Sequence, residues 1–200
     1  KTILHLVAEN GSINCAKLLF QHNQWCAVVE ALIDHRTKGD QLEETALQIC
    51  VSTAQLVIAR MLLERKADAL KLSGKGLAAT HMAAMKQRLA FLKLFHEFGV
   101  NLSTTTSMAH KRATPLILAA KKGAIDVMEF LVCEVGCSAE DADADYSTAI
   151  SSTYGDTALN SALQRFIAER AKRDKAAARE KRAKAAAATR EASPGTRATT

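Results

Sequence analysis

Apolar residues recur along this chain in short stripes that come in pairs. Leu4, Val7 and Ala8 form one stripe, Gly11 interrupts it, and Leu18, Leu19 and Phe20 form the next. The same layout returns with Leu47, Cys50 and Val51 before Met61, Leu62 and Leu63. It returns again with Ala83 and Ala84 before Leu94 and Phe95, and with Leu116, Ala119 and Ala120 before Phe130, Leu131 and Val132. Spacings of three and four residues place each stripe on one helix face. Each pair predicts two short antiparallel helices rather than one kinked helix, because Gly11 and Gly123 can take the positive φ that reverses the chain.

Windows that open at Thr2, Thr45, Ala78 and Thr114 align with no internal gap, and the last three start 33 and 36 residues apart. A threonine at such a start offers a hydroxyl to the free N–H groups of the first turn, and Pro115 suits the first helical position. Self-similarity at this period points to a solenoid, in which each unit buries its apolar face only against its neighbours.

The stretches "LHLVAENG" (4–11), "THMAAM" (80–85) and "TPLILAAKKG" (114–123), with "LLERKAD" (62–68) and "KLFHEFGVN" (93–101), resemble the ankyrin repeat over about residues 2–155. The resemblance implies an all-α solenoid of about four to five stacked helix-turn-helix pairs with projecting fingers. It implies that His5 and His81 support the fingers by hydrogen bonding. It also implies that a protein partner docks on the fingertips and the exposed side of the first helices. The positions there include Glu43, Glu44, Lys75, Arg88, Lys111, Arg112, Asp141, Asp143 and Asp145.

Two regions depart from the pattern. The first two windows start 43 residues apart, and the surplus holds "WCAVVEALIDHR" (25–36). Trp25, Val28, Val29, Leu32 and Ile33 make an amphipathic stripe there, predicting an extra helix near 25–35 with Val28, Val29 and Leu32 buried. The alternative is the second helix of a distorted repeat. A fifth copy opens at Thr148 but lacks the alanine pair, and its helix carries Leu159, Ala162, Leu163, Phe166 and Ile167 on one face. At the other end no copy stands before Thr2, so the face with Leu4 and Val7 is expected to lie open. The chain starts without Met inside a patterned segment and reads as a fragment of a longer protein.

These patterns divide the chain into a repeat domain (1–167), a basic Ala/Lys/Arg-rich helix (168–190) running to about residue 186, and a disordered tail (191–200). Residues 165–200 hold eleven Lys/Arg against four Asp/Glu, whereas the whole chain carries a net +6. The basicity therefore belongs to the tail. Three readings of it stand open: an exposed helix laced by i,i+4 ion pairs, a weak nucleic-acid or nuclear-import contact, and a coiled coil with only alanine to form its seam.

Candidate chemistry is sparse. The five cysteines are scattered and mostly on apolar faces, which suits free buried thiols in a reducing compartment. "EDADAD" (140–145) lacks the Gly and closing Glu of a calcium loop, and "GKG" (74–76) is too short for a phosphate loop. The histidines form no zinc-ligand pair, and no Ser/His/Asp or Cys/His arrangement is legible, so neither an enzyme nor a cofactor is expected. No apolar run approaches the roughly 20 residues a membrane-spanning helix needs, and no signal peptide is visible. The expectation is a cytoplasmic or nuclear protein–protein interaction scaffold. The alternatives are a regulatory segment of a larger enzyme, channel or transferase, or a nuclear adaptor acting through the basic tail.

Overall fold

A computed structural model describes residues 1–21, 23–37, 43–106, 112–141, 143, 147–153 and 155–191. Helices come in pairs: α1 (Ile3–Asn10) with α2 (Ile13–Gln21), α4 (Ala46–Thr53) with α5 (Leu56–Glu64), and α6 (Ala79–Met85) with α7 (Leu89–Glu97). Then follow α8 (Pro115–Lys121) with α9 (Ile125–Glu129), and α10 (Ala149–Ser152) with α11 (Thr157–Glu191). Between the first two pairs lies α3 (Asn23–Leu32), packed on α2. The molecule is an all-α solenoid. No strand occurs among the described residues, and none of their helices is long and apolar enough to cross a membrane.

Every first helix starts the same way. Thr2, Thr45, Ala78, Thr114 and Thr148 all have extended backbone just before the helix. The hydroxyls of Thr45, Thr114 and Thr148 accept the N–H three residues on, at 3.4, 3.3 and 3.1 Å. These bonds satisfy donors that the helix itself leaves unpaired. The ends also match. Gly11, Ala54, Gln87 and Gly123 are all left-handed, with φ of 65°, 64°, 56° and 68°. Sequence alone marked only the two glycines. At Ala54 and Gln87 a Cβ is held in a conformation that costs about 1–2 kcal/mol.

The pairs stack in two rows. α1, α4, α6, α8 and α10 touch in order, and α2, α5, α7, α9 and α11 do the same behind them. Small residues line the first row: Ala8, Cys50, Val51, Ala83, Ala84, Ala119 and Ala120 are buried. The second row supplies bulk through Phe20, Ile58, Leu62, Leu92, Phe95, Met128 and Leu131. α9 passes without a break into a π-helical turn, Phe130–Val135, which buries the consecutive residues Phe130 to Cys133 between neighbours. Near the end of this helix, where carbonyls lack an intrahelical partner, Arg170 of α11 donates to the Cys133 carbonyl at 3.1 Å.

Several expectations are corrected. Leu4 and Val7 are buried, because α1 turns them toward α4. Ile3, Leu6 and Leu18 are the residues that lie open at this end, 51%, 47% and 58% exposed. On α3, Val29 is buried and Leu32 is half-buried, and Ile33 is buried in the turn just beyond the helix, but Val28 is 46% exposed. α11 extends past residue 186 to Glu191. The expected disordered tail lies outside the described residues from residue 192 onward. Cys50, Cys133 and Cys137 are buried free thiols, whereas Cys15 is exposed. Burial pushes the Cys50 thiol up to about 12, which makes it an inert core residue.

Candidate functional site

The fingers between pairs are positioned by one recurring device. In the first, Thr37 N–H donates to the Glu44 carbonyl at 3.0 Å, and Glu44 N–H donates to the Thr37 hydroxyl at 3.1 Å. In the second, Ser73 and Leu77 make the same two contacts, at 2.9 and 3.3 Å. In the fourth, Asp143 N–H donates to the Ser147 carbonyl at 2.9 Å and an Asp143 carboxylate oxygen accepts the Ser147 N–H at 2.9 Å. Thr106 N–H closes the third on the Ala113 carbonyl at 3.0 Å. Thr37, Ser73, Thr106 and Asp143 are all buried despite being polar. A short side chain with an oxygen is the common requirement, since it pairs the backbone N–H across the turn.

A second device ties three of the fingers to the first helix that precedes each. The His5 ring sits between the Thr2 N–H, which donates to Nδ1 at 3.0 Å, and the Glu44 carbonyl, 3.1 Å from Nε2. His81 does the same with the Ala78 N–H at 3.2 Å and the Thr104 carbonyl at 2.9 Å. With Nδ1 accepting, Nε2 carries the proton, so the ring in this role is neutral. Burial pulls the His5 pKa down, and its contacts to backbone carbonyls pull the other way. In the intervening pair Gln48 takes this slot. Its Oε1 accepts the Thr45 N–H at 2.8 Å, and its Nε2 donates to the Lys71 and Leu77 carbonyls at 2.6 and 3.1 Å. An amide thus copies a neutral imidazole, one acceptor and one donor side. Gln48 was missed because its resemblance to histidine lies in hydrogen bonding and not in residue type.

Fingers held this way enclose a groove of about 520 Å³ against the first-helix row. Glu44 and Lys75 reach it from the fingers, and Met82, Met85, Lys86 and Lys122 from the helices and their ends. Burial pushes the Glu44 carboxyl up, while Lys86 and Lys75 pull it back. Lys75, Lys86 and Lys122 form no ion pair with any described residue. The groove therefore combines thioether surface with three ammonium groups and one partly desolvated carboxylate.

The sequence-predicted surface residues are placed unevenly. Glu44 and Lys75 come together in this groove. Glu43 is exposed beside it, with φ 41° and an Arg36 partner at 3.8 Å. Arg112 is exposed at the base of the third finger, with φ 55°. Arg88 lies in the turn between α6 and α7, at the end of α6 away from the fingers. Asp141 is exposed, but Asp143 points inward, closing its finger and pairing with Lys121 at 3.0 Å. Its carboxylate is engaged inside the fold and is not part of a solvated acidic tip. Lys111 and Asp145 lie outside the described residues. Lys86 and Lys122 are not among the sequence-predicted surface residues, although both stand eight residues after a repeat start, at Ala78 and Thr114. Register across copies is the signal that finds them. No group of three or more His, Cys, Asp or Glu able to hold a metal ion occurs among the described residues.

Two family models match the chain. One, described as ankyrin repeats in 3 copies, matches residues 1–73, and the other, described as ankyrin repeat, matches residues 111–144. Together the two stretches make up more than half of the chain. The α6–α7 pair stands between them in the same stack and with the same histidine device. Comparison with curated proteins finds no match.

Proposed function

Because the chain belongs to the ankyrin-repeat family, whose repeats are in general protein–protein interaction modules, we propose that it holds a protein partner in the groove between the fingers and the first-helix row. The observation that carries this reading is the make-up of that groove. Buried polar side chains support its finger wall, Met82 and Met85 supply deformable apolar contact, and Lys75, Lys86 and Lys122 supply charge with no described partner to satisfy it. Methionine surfaces adapt to varied side chains, and unpaired rim charges steer and register a partner. Such repeats are typically binding modules and not enzymes, which agrees with a surface built for contact.

The reading is tested by photo-crosslinking in cells. A crosslinking residue at Lys86, in the groove, is expected to capture a discrete partner. The same residue at Val57, exposed on the outer helix α5, is expected to capture little. Comparable capture from both positions would place docking elsewhere.

A further inference from the structure

Four cations of α11 without an ion pair share one side of the helix. Arg170 pairs with Asp174 at 3.1 Å, Arg173 with Glu134 at 3.2 Å and Glu169 at 2.9 Å, and Lys184 with Glu180 at 2.6 Å. Among the described residues, Lys172, Lys175, Arg179 and Arg182 have no such partner, and all four are exposed. At about 100° per residue these four fall within an arc of about 80°. Glu169, Asp174 and Glu180 all fall outside that arc. Ala168, Ala171, Ala178 and Ala183 flank the stripe, so no bulky side chain stands beside the cations. Arg165 lies on the same side two turns earlier, but its guanidinium is held over the Phe166 ring at 5.3 Å. Lys181, also without an ion pair to a described residue, stands on the opposite side.

We propose that this stripe is a second binding surface, independent of the groove, and that its ligand is the phosphate backbone of duplex nucleic acid. Only the first turns of α11 are committed to the solenoid. Leu163 and Phe166 are buried there, and Arg170 and Arg173 make the last contacts with the preceding repeat. Beyond Arg173 the helix continues to Glu191 with its described side chains exposed. That is roughly 27 Å of projecting rod, at 1.5 Å per residue. Its alanine-flanked face is slim enough to lie against a groove whose width, about 12 Å on the major-groove side, matches a helix. An anionic membrane would offer the same charge. But a helix that lies in a bilayer surface presents large apolar residues beside its cations, and here only alanines stand there. The rest of the chain, residues 1–164, is close to neutral, so the stripe faces no strong competing field of like sign.

Charge pairing sets the expected strength. Were all eleven basic residues of the tail to act, salt would weaken binding with a log–log slope of about −10, whereas the four cations of the stripe give about −3.6. The experiment is fluorescence anisotropy of the whole chain on a labelled 20-base-pair DNA duplex between about 20 and 200 mM NaCl. The intact protein should bind with a slope near −3.6. Lys175→Gln with Arg179→Gln should halve that slope and weaken binding roughly a hundredfold at about 50 mM salt. Arg173→Gln with Lys184→Gln removes the same charge from the paired side, and should shift the slope by less than about 0.5. Circular dichroism of both variants keeps loss of helix separate from loss of contact. Equal weakening by the two double variants would mean that binding follows net charge, and would overturn the stripe. So would the absence of binding at about 20 mM salt, or retention on vesicles of phosphatidylcholine and phosphatidylserine without binding to the duplex.

Discussion

The two ends of the helix stack expose opposite kinds of surface. At the N-terminal end, Ile3, Leu6 and Leu18 face outward with Cys15 around a shallow depression of about 340 Å³. At the C-terminal end, α11 turns Leu163 and Phe166 onto α9 and its π-turn and presents charge to water. In a solenoid each unit is stabilised by its neighbours, so an end is comfortable only when its outer face is polar. The C-terminal unit meets that condition. The N-terminal unit keeps the apolar face of an interior repeat, the kind of patch that marks a contact surface.

The largest effect should come from breaking the covered end. Phe166→Ala is expected to cost about 3–5 kcal/mol in denaturant unfolding, because it empties a fully packed site. Leu18→Ala at the open end should stay within about 0.5 kcal/mol, since its side chain already meets water. Similar costs for the two would show that the open end is covered in solution.

A smaller effect tests how tightly the open end is built on its inner side. Gly11 is left-handed, and a Cβ there would run into the Gln55 amide of the next repeat. Gly11→Ala should therefore destabilise by roughly 1–2 kcal/mol. The matching turn one repeat later already carries a Cβ, at Ala54 with φ 64°. Ala54→Gly should raise the thermal midpoint, with a gain of up to about 1 kcal/mol. A fall in that midpoint would mean that the Ala54 methyl contributes more packing than its backbone strain costs.

The smallest effect separates the ends by pH. Burial holds the His5 pKa below its ordinary value of 6.5. The unfolded chain then takes up this proton more readily than the fold does. The contribution of the neutral ring is thus complete above 6.5 and declines as pH drops from there toward the folded value. His5→Gln places the Gln48 solution in the first repeat and should flatten that part of the pH–stability curve. At the C-terminal end the same slot is Ser151, whose hydroxyl accepts the Thr148 N–H at 2.8 Å and does not titrate in this range. Curves of the wild type and of His5→Gln that stay parallel between pH 7 and 5 would assign the acid sensitivity to another group.

What the amino-acid order determined by itself is the repeat. Thr, small apolar residues, a turn and a bulky stripe recur in register, and each signal is local, since capping, helical period and glycine φ act within a few residues. The all-α solenoid and its helix pairs were legible for that reason, whereas the supporting roles of His5 and His81 followed from the family resemblance, since their carbonyl partners lie 39 and 23 residues away. Only the tertiary structure decided which face of a stripe meets a neighbour. It buried Leu4 and exposed Leu6, turned Val28 outward beside a buried Val29, and set Ala54 and Gln87 into turns where glycine is the residue to expect. It also sorted the charges. Asp143 reads in sequence as one more residue of an acidic tip, yet the closure of its finger draws it inside to pair with Lys121. Glu134 and Arg173 are 39 residues apart, and become partners only because α11 folds back along α9. Burial and charge pairing depend on elements far apart in the chain, and no local window of residues contains both members of such a contact.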